Sequence, residues 1–277
     1  RGLRRVASRP PAYGLAPGLR WGRAAGGSLG VVSAPIVAVI GGGQLARMMQ
    51  EEASALGIHL RSLVEAADGS TGQVVVDAPV GAADDEAAVR AVTAGDGTQG
   101  PGGEPVAVLT FEHEHQDSSL LERLQDEGVS VQPTPQALEL ARDKLAMRRA
   151  MSEAGLPQPA WVEVGGPQQE TAQEMSDAVE AFAAEHGWPV VLKTPRGGYD
   201  GHGVLLVRSA ESLHEGEAVE WLTSVARARA GQSDGQGAGG GGSLGGAAVT
   251  SLLVERAIPF TRELAVLLAR SPSGRIA

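Results

Sequence analysis

The chain of 277 residues contains no cysteine, only two lysines and no long apolar run. The absence of cysteine excludes a disulfide framework, a thiolate metal site and a cysteine nucleophile. No uninterrupted apolar stretch reaches the roughly 18 residues of a membrane-spanning helix, which predicts a soluble protein without a membrane partner. Basic residues are also few, because 23 Lys and Arg face 33 Asp and Glu. The net charge of -10 argues against binding a nucleic-acid backbone.

Residues 1–34 differ from the rest of the chain, because they contain six arginines and no acidic residue. An acid-free, Arg-rich segment with scattered Ala, Gly and Ser is typical of a transit peptide, and it predicts a plastid protein. The alternative is a disordered tail on a cytoplasmic protein.

Apolar runs alternate with helical patterns from residue 35 to about residue 132. The predicted strands are residues 36–40, 58–64, 74–76, 106–110 and 129–131, and the predicted helices are residues 44–56, 84–92 and 118–127. This alternation predicts an α/β fold in which crossover helices connect a parallel sheet. We place this Rossmann-like domain at residues 35–134.

The pattern changes in the second domain, which we place at residues 135–277. It predicts helices over residues 136–154 and 211–229, a hairpin of strands 189–194 and 204–208, further strands at 251–254 and 262–270, and a turn at 271–274. Residues 231–246 contain nine glycines and almost no apolar side chain, which predicts a flexible insertion. The second domain is therefore expected to be α+β.

Residues 41–46, Gly-Gly-Gly-Gln-Leu-Ala, fit the G-x-G-x-x-G/A pattern between a strand and a helix, and Glu65 follows at a spacing suited to a ribose-binding acid. One interpretation is a dinucleotide site. The other is a tight turn that lets the helix pack closely on the strand or meet a small ligand.

A glycine-dense loop at residues 197–203 separates the two strands of the predicted hairpin. Successive glycines free backbone N–H groups to point inward, as in loops that cradle phosphate oxygens, and Lys193 at the loop entrance adds an ammonium. The alternative is an idle hairpin tip, which seldom needs a Tyr-Asp pair between its glycines.

Acidic residues mark the ends of two more predicted strands. Glu255 ends one strand and Glu263 follows, an arrangement that could bind adenine and ribose or could be plain surface acid. Residues 110–115, Thr-Phe-Glu-His-Glu-His, lie at the carboxyl end of a parallel strand, where α/β sheets bind ligands. His113 and His115 could share a face and bind a metal, although no further ligand is evident.

Five motifs in chain order closely resemble the 5-(carboxyamino)imidazole ribonucleotide synthase family of ATP-grasp enzymes. They are IGGGQLARM at residues 40–48, TFEHE at 110–114, DKL at 143–145, LK at 192–193 with the loop 197–203, and VE at 254–255 with Glu263. The resemblance extends over about residues 36–270. It implies a pre-ATP-grasp domain followed by a partial, C-terminally truncated ATP-grasp domain.

The resemblance also implies roles for single residues. The implied ATP-binding residues are Lys144 and Lys193 on the phosphates, a mobile loop of Gly198, Tyr199, Asp200, Gly201, His202, Gly203 and Val204, the adenine-binding run of Glu255, Arg256, Ala257 and Ile258, and Glu263 on the ribose. The implied catalytic residues are Tyr199 and Asp200, which would gate or polarise the reaction. The implied substrate-binding residues are Gln44, Leu45 and Glu112, which argues against the dinucleotide interpretation of the glycine turn.

By resemblance, the expected activity is the ATP- and bicarbonate-dependent carboxylation of 5-aminoimidazole ribonucleotide through carboxyphosphate, in de novo purine biosynthesis. ATP and magnesium are the implied cofactors. The family's magnesium ligands fall beyond the part that matches Arg270, so we expect them to lie beyond Ala277. We therefore expect no metal ligand within the chain and no turnover by the chain alone. A homodimer and a fused or separate carboxylase or mutase domain are also implied.

Two rival functions stay open. One is another ATP-grasp ligase, such as a formate-dependent glycinamide ribonucleotide transformylase, because the positions of Gln44, Leu45 and Glu112 serve a related amine there. The other is a fragment without catalytic activity that binds a nucleotide.

Overall fold

The computed structural model describes residues 34–95, 104–167, 169–198, 202–231, 249–271 and 273–277. Three predictions lie outside these residues, namely those for residues 1–33, for nearly all of the glycine-rich insertion, and for Tyr199, Asp200 and Gly201. No helix in the described ranges is long and apolar enough to cross a membrane.

The first sheet is parallel, with strand order β2-β1-β3. Its elements in chain order are β1 Ile36–Ile40, α1 Gln44–Leu56, β2 His59–Leu63, α2 Glu86–Ala94, β3 Val108–Phe111 and α3 Ser118–Asp126. In register, Val37 of β1 pairs with Leu60 of β2 and with Val108 of β3. The predicted parallel sheet with crossover helices is confirmed.

Helices cover both faces of this sheet, because successive side chains of β1 point in opposite directions. Ala38 and Ile40 are buried in a cluster that includes Val89 of α2 and Leu121 of α3. Val39 is buried in a second cluster with residues of α1. A strand buried on both faces is the reason that β1 is apolar throughout.

The prediction of a strand at residues 74–76 is wrong. The N–H groups of Val74 and Val75 both donate to the carbonyl of Thr71 at 2.9 Å, so the segment forms a turn. The chain after this turn meets β2 only in isolated bridges, one of which joins Arg61 to Asp77. The predicted strand at residues 129–131 is likewise a single bridge, between Leu109 and Val131.

Residues 135–153 form two helices where one was predicted, α4 Pro135–Arg142 and α5 Lys144–Glu153. Asp143 separates them with an extended backbone, ψ 109°. Its carboxylate accepts hydrogen bonds from the N–H groups of Leu145 at 2.8 Å and Ala146 at 3.0 Å. This is an N-cap, and it starts a new helix at Lys144.

The second sheet is antiparallel, with strand order β4-β7-β5-β6. Its strands are β4 Trp161–Val164, β5 Val190–Lys193, β6 Val204–Val207 and β7 Leu252–Arg256. The predicted hairpin of β5 and β6 is confirmed, since Lys193 pairs with Val204 across it. Strand β4, which pairs with β7, was not predicted.

Three helices pack on this sheet, α6 Ala172–His186, α7 Ala210–Leu213 and α8 Gly216–Arg229. Met175 of α6 and Trp221 of α8 are buried in one core with strand residues such as Leu192. The predicted single helix at residues 211–229 is interrupted before Gly216, which adopts φ +58°. Helix α6 was not predicted.

The prediction of a strand at residues 262–270 is wrong for most of that range. Only Arg270 pairs, in an antiparallel bridge with Ile276 across the predicted turn. Next to this bridge, the N–H of Ala269 donates to the carbonyl of Ala277 at 3.1 Å. The apolar side chains of this segment are exposed, with Leu264 at 80%. Apolar residues alone do not make a strand, since a strand needs a partner for its backbone hydrogen bonds.

Candidate active site

Strands β5 and β7 lie side by side and bring a lysine and a glutamate together. Lys193 is the last residue of β5, and its Nζ lies 2.5 Å from Oε2 of Glu255 in β7. Glu255 is only 3% exposed. A buried carboxylate is stable only with close cationic or hydrogen-bonding partners, and Lys193 is one of them.

Arg148 is the second partner of this carboxylate. It extends from α5, and its Nε donates to Oε1 of Glu255 at 2.5 Å. Arg148 is not among the site residues predicted from the sequence. The signal that could have found it is helical spacing, because Arg148 follows Lys144 by four residues and therefore lies on the same face of α5.

A cavity of about 790 Å³ opens beside this cluster. Its lining includes Arg148 and, of the predicted nucleotide-binding residues, Lys193, Val204, Glu255, Arg256, Ala257 and Ile258. Apolar side chains such as Val191 and Phe260 supply other walls. A cavity with apolar walls and a few convergent polar groups is the usual form of a small-molecule site. Other predicted nucleotide-binding residues do not line it, namely Lys144, Gly198, His202, Gly203 and the exposed Glu263.

Lys144 approaches the glycine loop from the first turn of α5. Its backbone N–H donates to the carbonyl of Pro195 at 2.9 Å. Its Nζ would lie 3.4 Å from a Cβ added at Gly198. Burial, and then the charge of Lys193, hold the pKa of Lys144 below its ordinary value. Both effects destabilise the charged form of Lys144, and a bound anion would stabilise it.

The two ends of the glycine loop lie too close together for side chains. A Cβ at Gly198 would lie 2.8 Å from the carbonyl oxygen of His202, and one at Gly203 would overlap Oγ1 of Thr194. Gly203 also adopts φ +71°, which favours glycine. Thr194 is 1% exposed, and its hydroxyl has no partner within the described part of the chain. Tyr199, Asp200 and Gly201 lie outside that part.

The other predicted site is at the glycine turn after β1. Glu112 follows β3, and its carboxylate accepts hydrogen bonds from the N–H groups of Gly43 at 2.7 Å and Leu45 at 3.0 Å. These groups form the N-terminus of α1, where a dinucleotide would place its pyrophosphate. Glu112 occupies that position, which argues against the dinucleotide interpretation. Gln44 and Leu45 are exposed beside this carboxylate.

The two histidines near Glu112 do not form a metal site. The His113 and His115 rings are 5.7 Å apart, and Nδ1 of His113 lies 3.2 Å from Nε2 of Gln116. No group of three or more His, Asp or Glu side chains in the described ranges could hold a metal ion. The expectation that magnesium ligands lie beyond Ala277 concerns sequence outside this chain, so it stays a prediction.

Two family models match the chain, one after the other. Residues 35–142 match the family model of the ribonucleotide synthetase preATP-grasp domain, and residues 149–277 match that of the ATP-grasp domain. The two models together cover nearly all of the chain after residue 34.

Individual proteins are similar over the same range. The N5-carboxyaminoimidazole ribonucleotide synthase of Mycobacterium bovis is 38% identical over 242 residues, which are 87% of this chain and 46% of that protein. A chloroplastic phosphoribosylaminoimidazole carboxylase of Vigna aconitifolia is 27% identical over 87% of this chain and 35% of that protein. The chain thus spans about half the length of the curated relatives it matches, or less.

A solved structure extends the likeness to three dimensions. The crystal structure of an N5-carboxyaminoimidazole ribonucleotide synthetase in complex with ADP superposes with a TM-score of 0.65 at 25% identity, over 88% of this chain and 53% of that one. The order of the two domains, the glycine loop between β5 and β6, and the match to this structure lead to one conclusion. The chain contains a ribonucleotide synthetase preATP-grasp domain followed by an ATP-grasp domain, and over this range it is similar to N5-carboxyaminoimidazole ribonucleotide synthases.

Proposed function

We propose that the protein carboxylates the amino group of 5-aminoimidazole ribonucleotide with bicarbonate, at the expense of ATP, in purine biosynthesis. The observation that carries this proposal is the 790 Å³ cavity in which Lys193 and Glu255 meet beside the glycine loop. Similarity to N5-carboxyaminoimidazole ribonucleotide synthases over 87% of the chain supports the choice of substrates.

ATP is assigned to this cavity. Lys193 and Lys144 are the proposed phosphate ligands, and Glu255 and Ile258 the proposed adenine contacts. The chemistry of the cavity fits such a ligand, because Lys193 lies in the lining and Val191, Ile258 and Phe260 provide apolar surface for a base. The buried hydroxyl of Thr194, without a partner in the described residues, is a further polar group under the loop.

The glycine loop would close over the phosphates. Gly198 and Gly203, the two ends of the loop, lie close together. A loop whose ends are close together can act as a flap over the ligand. Within the loop, Tyr199 and Asp200 are the proposed catalytic residues. Glu263 remains the proposed ribose ligand, a role that requires the exposed segment around it to move toward the cavity.

The ribonucleotide is assigned to the glycine turn of the first domain. Glu112 is fixed by two backbone N–H groups, and the exposed Gln44 and Leu45 lie next to it. A fixed carboxylate is a suitable acceptor for the amino group of the ribonucleotide. Glu112 would then orient the nitrogen that forms the new bond.

The lysines have the main electrostatic role in this proposal. ATP supplies the phosphoryl group that activates bicarbonate as carboxyphosphate, and this transfer places negative charge on the phosphoryl oxygens. The ammonium groups of Lys144 and Lys193 would stabilise that charge in a partly buried site, where electrostatic interactions are stronger than in water.

Magnesium usually accompanies ATP in such transfers. The part of the chain that the structure describes brings no three acidic or histidine side chains together as a metal site. No magnesium ligand is therefore assigned, and the proposed roles of Lys144, Lys193 and Glu255 do not depend on one.

The test is a comparison of carbon sources in an ATPase assay of the full-length protein. ATP hydrolysis should require bicarbonate and should rise when 5-aminoimidazole ribonucleotide is added. Stimulation by formate with glycinamide ribonucleotide would instead identify a transformylase. Nucleotide binding without hydrolysis under either condition would identify a binding protein that is not catalytic.

We also propose that the protein is located in plastids. The support is the acid-free, Arg-rich composition of residues 1–34 and the chloroplastic relative in Vigna aconitifolia. A fluorescent fusion of residues 1–34 should enter plastids. Diffuse fluorescence in the cytosol would contradict this location.

A further inference from the structure

The carboxylate of Glu255 is shared by two cations from different elements. Arg148 of α5 binds Oε1 and Lys193 of β5 binds Oε2, each at 2.5 Å. The side chains of Glu255 and Arg148 are 4% and 11% exposed, whereas that of Lys193 is 26% exposed. Lys193 is therefore the member of the cluster that is most open to a ligand.

Other contacts hold Arg148 in place. Its carbonyl oxygen accepts a hydrogen bond from Nε2 of Gln158 at 3.2 Å, and its Nη1 lies 3.4 Å from Oε1 of the same glutamine. Nε2 of Gln158 also donates to Oγ of Ser152 at 2.7 Å. Arg148 is thus held at both its backbone and its guanidinium group, which limits its freedom to leave Glu255.

The number of charges in the cluster decides what Lys193 can do. A pair of Lys193 and Glu255 alone would be neutral, and a phosphate would have to compete with the carboxylate for the ammonium. With Arg148 present, the three side chains carry one net positive charge. Because Arg148 binds one carboxylate oxygen and neutralises part of its charge, Glu255 attracts the ammonium of Lys193 less strongly. A surplus of positive charge beside a partly buried cavity attracts anions.

We propose that Arg148 is a positioning residue that neutralises Glu255 and so leaves the charge of Lys193 available to the phosphates of the nucleotide. The inference rests on the proposed binding of ATP in this cavity. It goes beyond that proposal because it attributes the preference for ATP over an uncharged nucleoside to Arg148, which acts through Glu255.

The next residue of the same helix provides a matched control. Arg149 also forms an ion pair, with Glu163 of β4, but its side chain is 52% exposed and it does not line the cavity. Removal of either arginine deletes one positive charge from α5. Among the described residues, only the removal of Arg148 leaves Glu255 with Lys193 as its single cationic partner.

The experiment measures the affinities of ATP and adenosine for the full-length protein and for the variants Arg148→Met, Arg148→Lys and Arg149→Met. Adenosine has the base and the sugar of ATP but no phosphate. The ratio of the two affinities therefore isolates the contribution of charge. A merely structural role of Arg148 would weaken both ligands equally and leave the ratio unchanged.

We expect Arg148→Met to lower the ratio of ATP to adenosine affinity by about tenfold, because the cluster loses one positive charge beside a partly buried cavity. Arg148→Lys and Arg149→Met should stay within about twofold of the wild-type ratio, since the first keeps the charge and the second changes only an exposed pair. An unchanged ratio in Arg148→Met would overturn the inference.

The double variant Arg148→Met/Glu255→Gln covers the case in which Arg148→Met does not fold. A neutral amide needs no cationic partner, so Lys193 is freed and the ratio should return to within about threefold of wild type. If Arg148→Met folds, a ratio in the double variant as low as in Arg148→Met would overturn the inference. If Arg148→Met is unfolded, a ratio in the double variant below a tenth of the wild-type ratio would overturn it. Failure of the wild-type protein to bind ATP would contradict the proposed function itself, and the inference with it.

Discussion

Glu112 and Glu255 are fixed carboxylates at the two candidate sites, and they have different kinds of partner. Glu112, after a strand of the parallel sheet, accepts from two backbone N–H groups. Glu255, in the antiparallel sheet, accepts from the charged side chains of Arg148 and Lys193. Backbone dipoles hold an acid without adding a formal charge, whereas the second arrangement yields a positive surplus. The first site thus suits an amine and the second suits a phosphate.

The largest effect should come from removing the buried acid. Glu255→Ala leaves Arg148 and Lys193 without their shared partner, and we expect the free energy of unfolding to fall by about 3–5 kcal/mol. Urea denaturation measures this change. Glu163→Ala is the matched control, because it breaks a more exposed ion pair and should cost less than about 1 kcal/mol. Equal losses would show that burial does not distinguish the two pairs.

Removal of the other acid should have a smaller effect. Glu112→Ala deprives two N–H groups at the start of α1 of their acceptor, which should lower the free energy of unfolding by about 1 kcal/mol. The affinity for ATP should not change, because Glu112 lies in the other domain's site. Glu122→Ala, at an exposed position of α3, controls for the loss of one negative charge. A loss of ATP affinity specific to Glu112→Ala would contradict the separation of the two sites.

The smallest effect is a pH dependence of ATP binding. Burial and the charge of Lys193 lower the pKa of Lys144 from 10.5, so this ammonium loses its proton at a lower pH than an ordinary lysine. Its attraction for phosphate is present while the ammonium keeps its proton and is lost as the pH rises through the lowered pKa. ATP affinity should therefore decline below pH 10.5. Lys144→Arg, which stays protonated, should decline less. Identical pH profiles would exclude Lys144 as the titrating group.

Features that depend on neighbouring residues could be predicted from the sequence. The apolar run of β1 followed by three glycines predicts a strand, a tight turn and a helix, and the structure contains all three. The glycine loop is likewise formed by consecutive residues, and the prediction that it connects β5 and β6 is confirmed.

Features that depend on distant residues could not be predicted. Arg148 and Glu255 are 107 residues apart, and only the packing of α5 near β7 brings them together. The apolar residues around Leu264 and Leu267 favour a strand locally, but the segment does not form one. A strand also needs a neighbouring strand to pair with, and the local sequence does not determine that neighbour. At Asp143 a single capping carboxylate outweighed a helical pattern that continued on both sides of it.

The central claim is that the cavity beside Glu255 binds ATP through Lys193, and its most direct test is the ATP affinity of Lys193→Ala in the full-length protein. Loss of one charge-assisted hydrogen bond to phosphate should weaken binding by about 1.5–3 kcal/mol. Arg208→Ala removes an exposed charge just after β6 and should bind ATP as the wild type does. Unchanged ATP affinity in Lys193→Ala would contradict the claim.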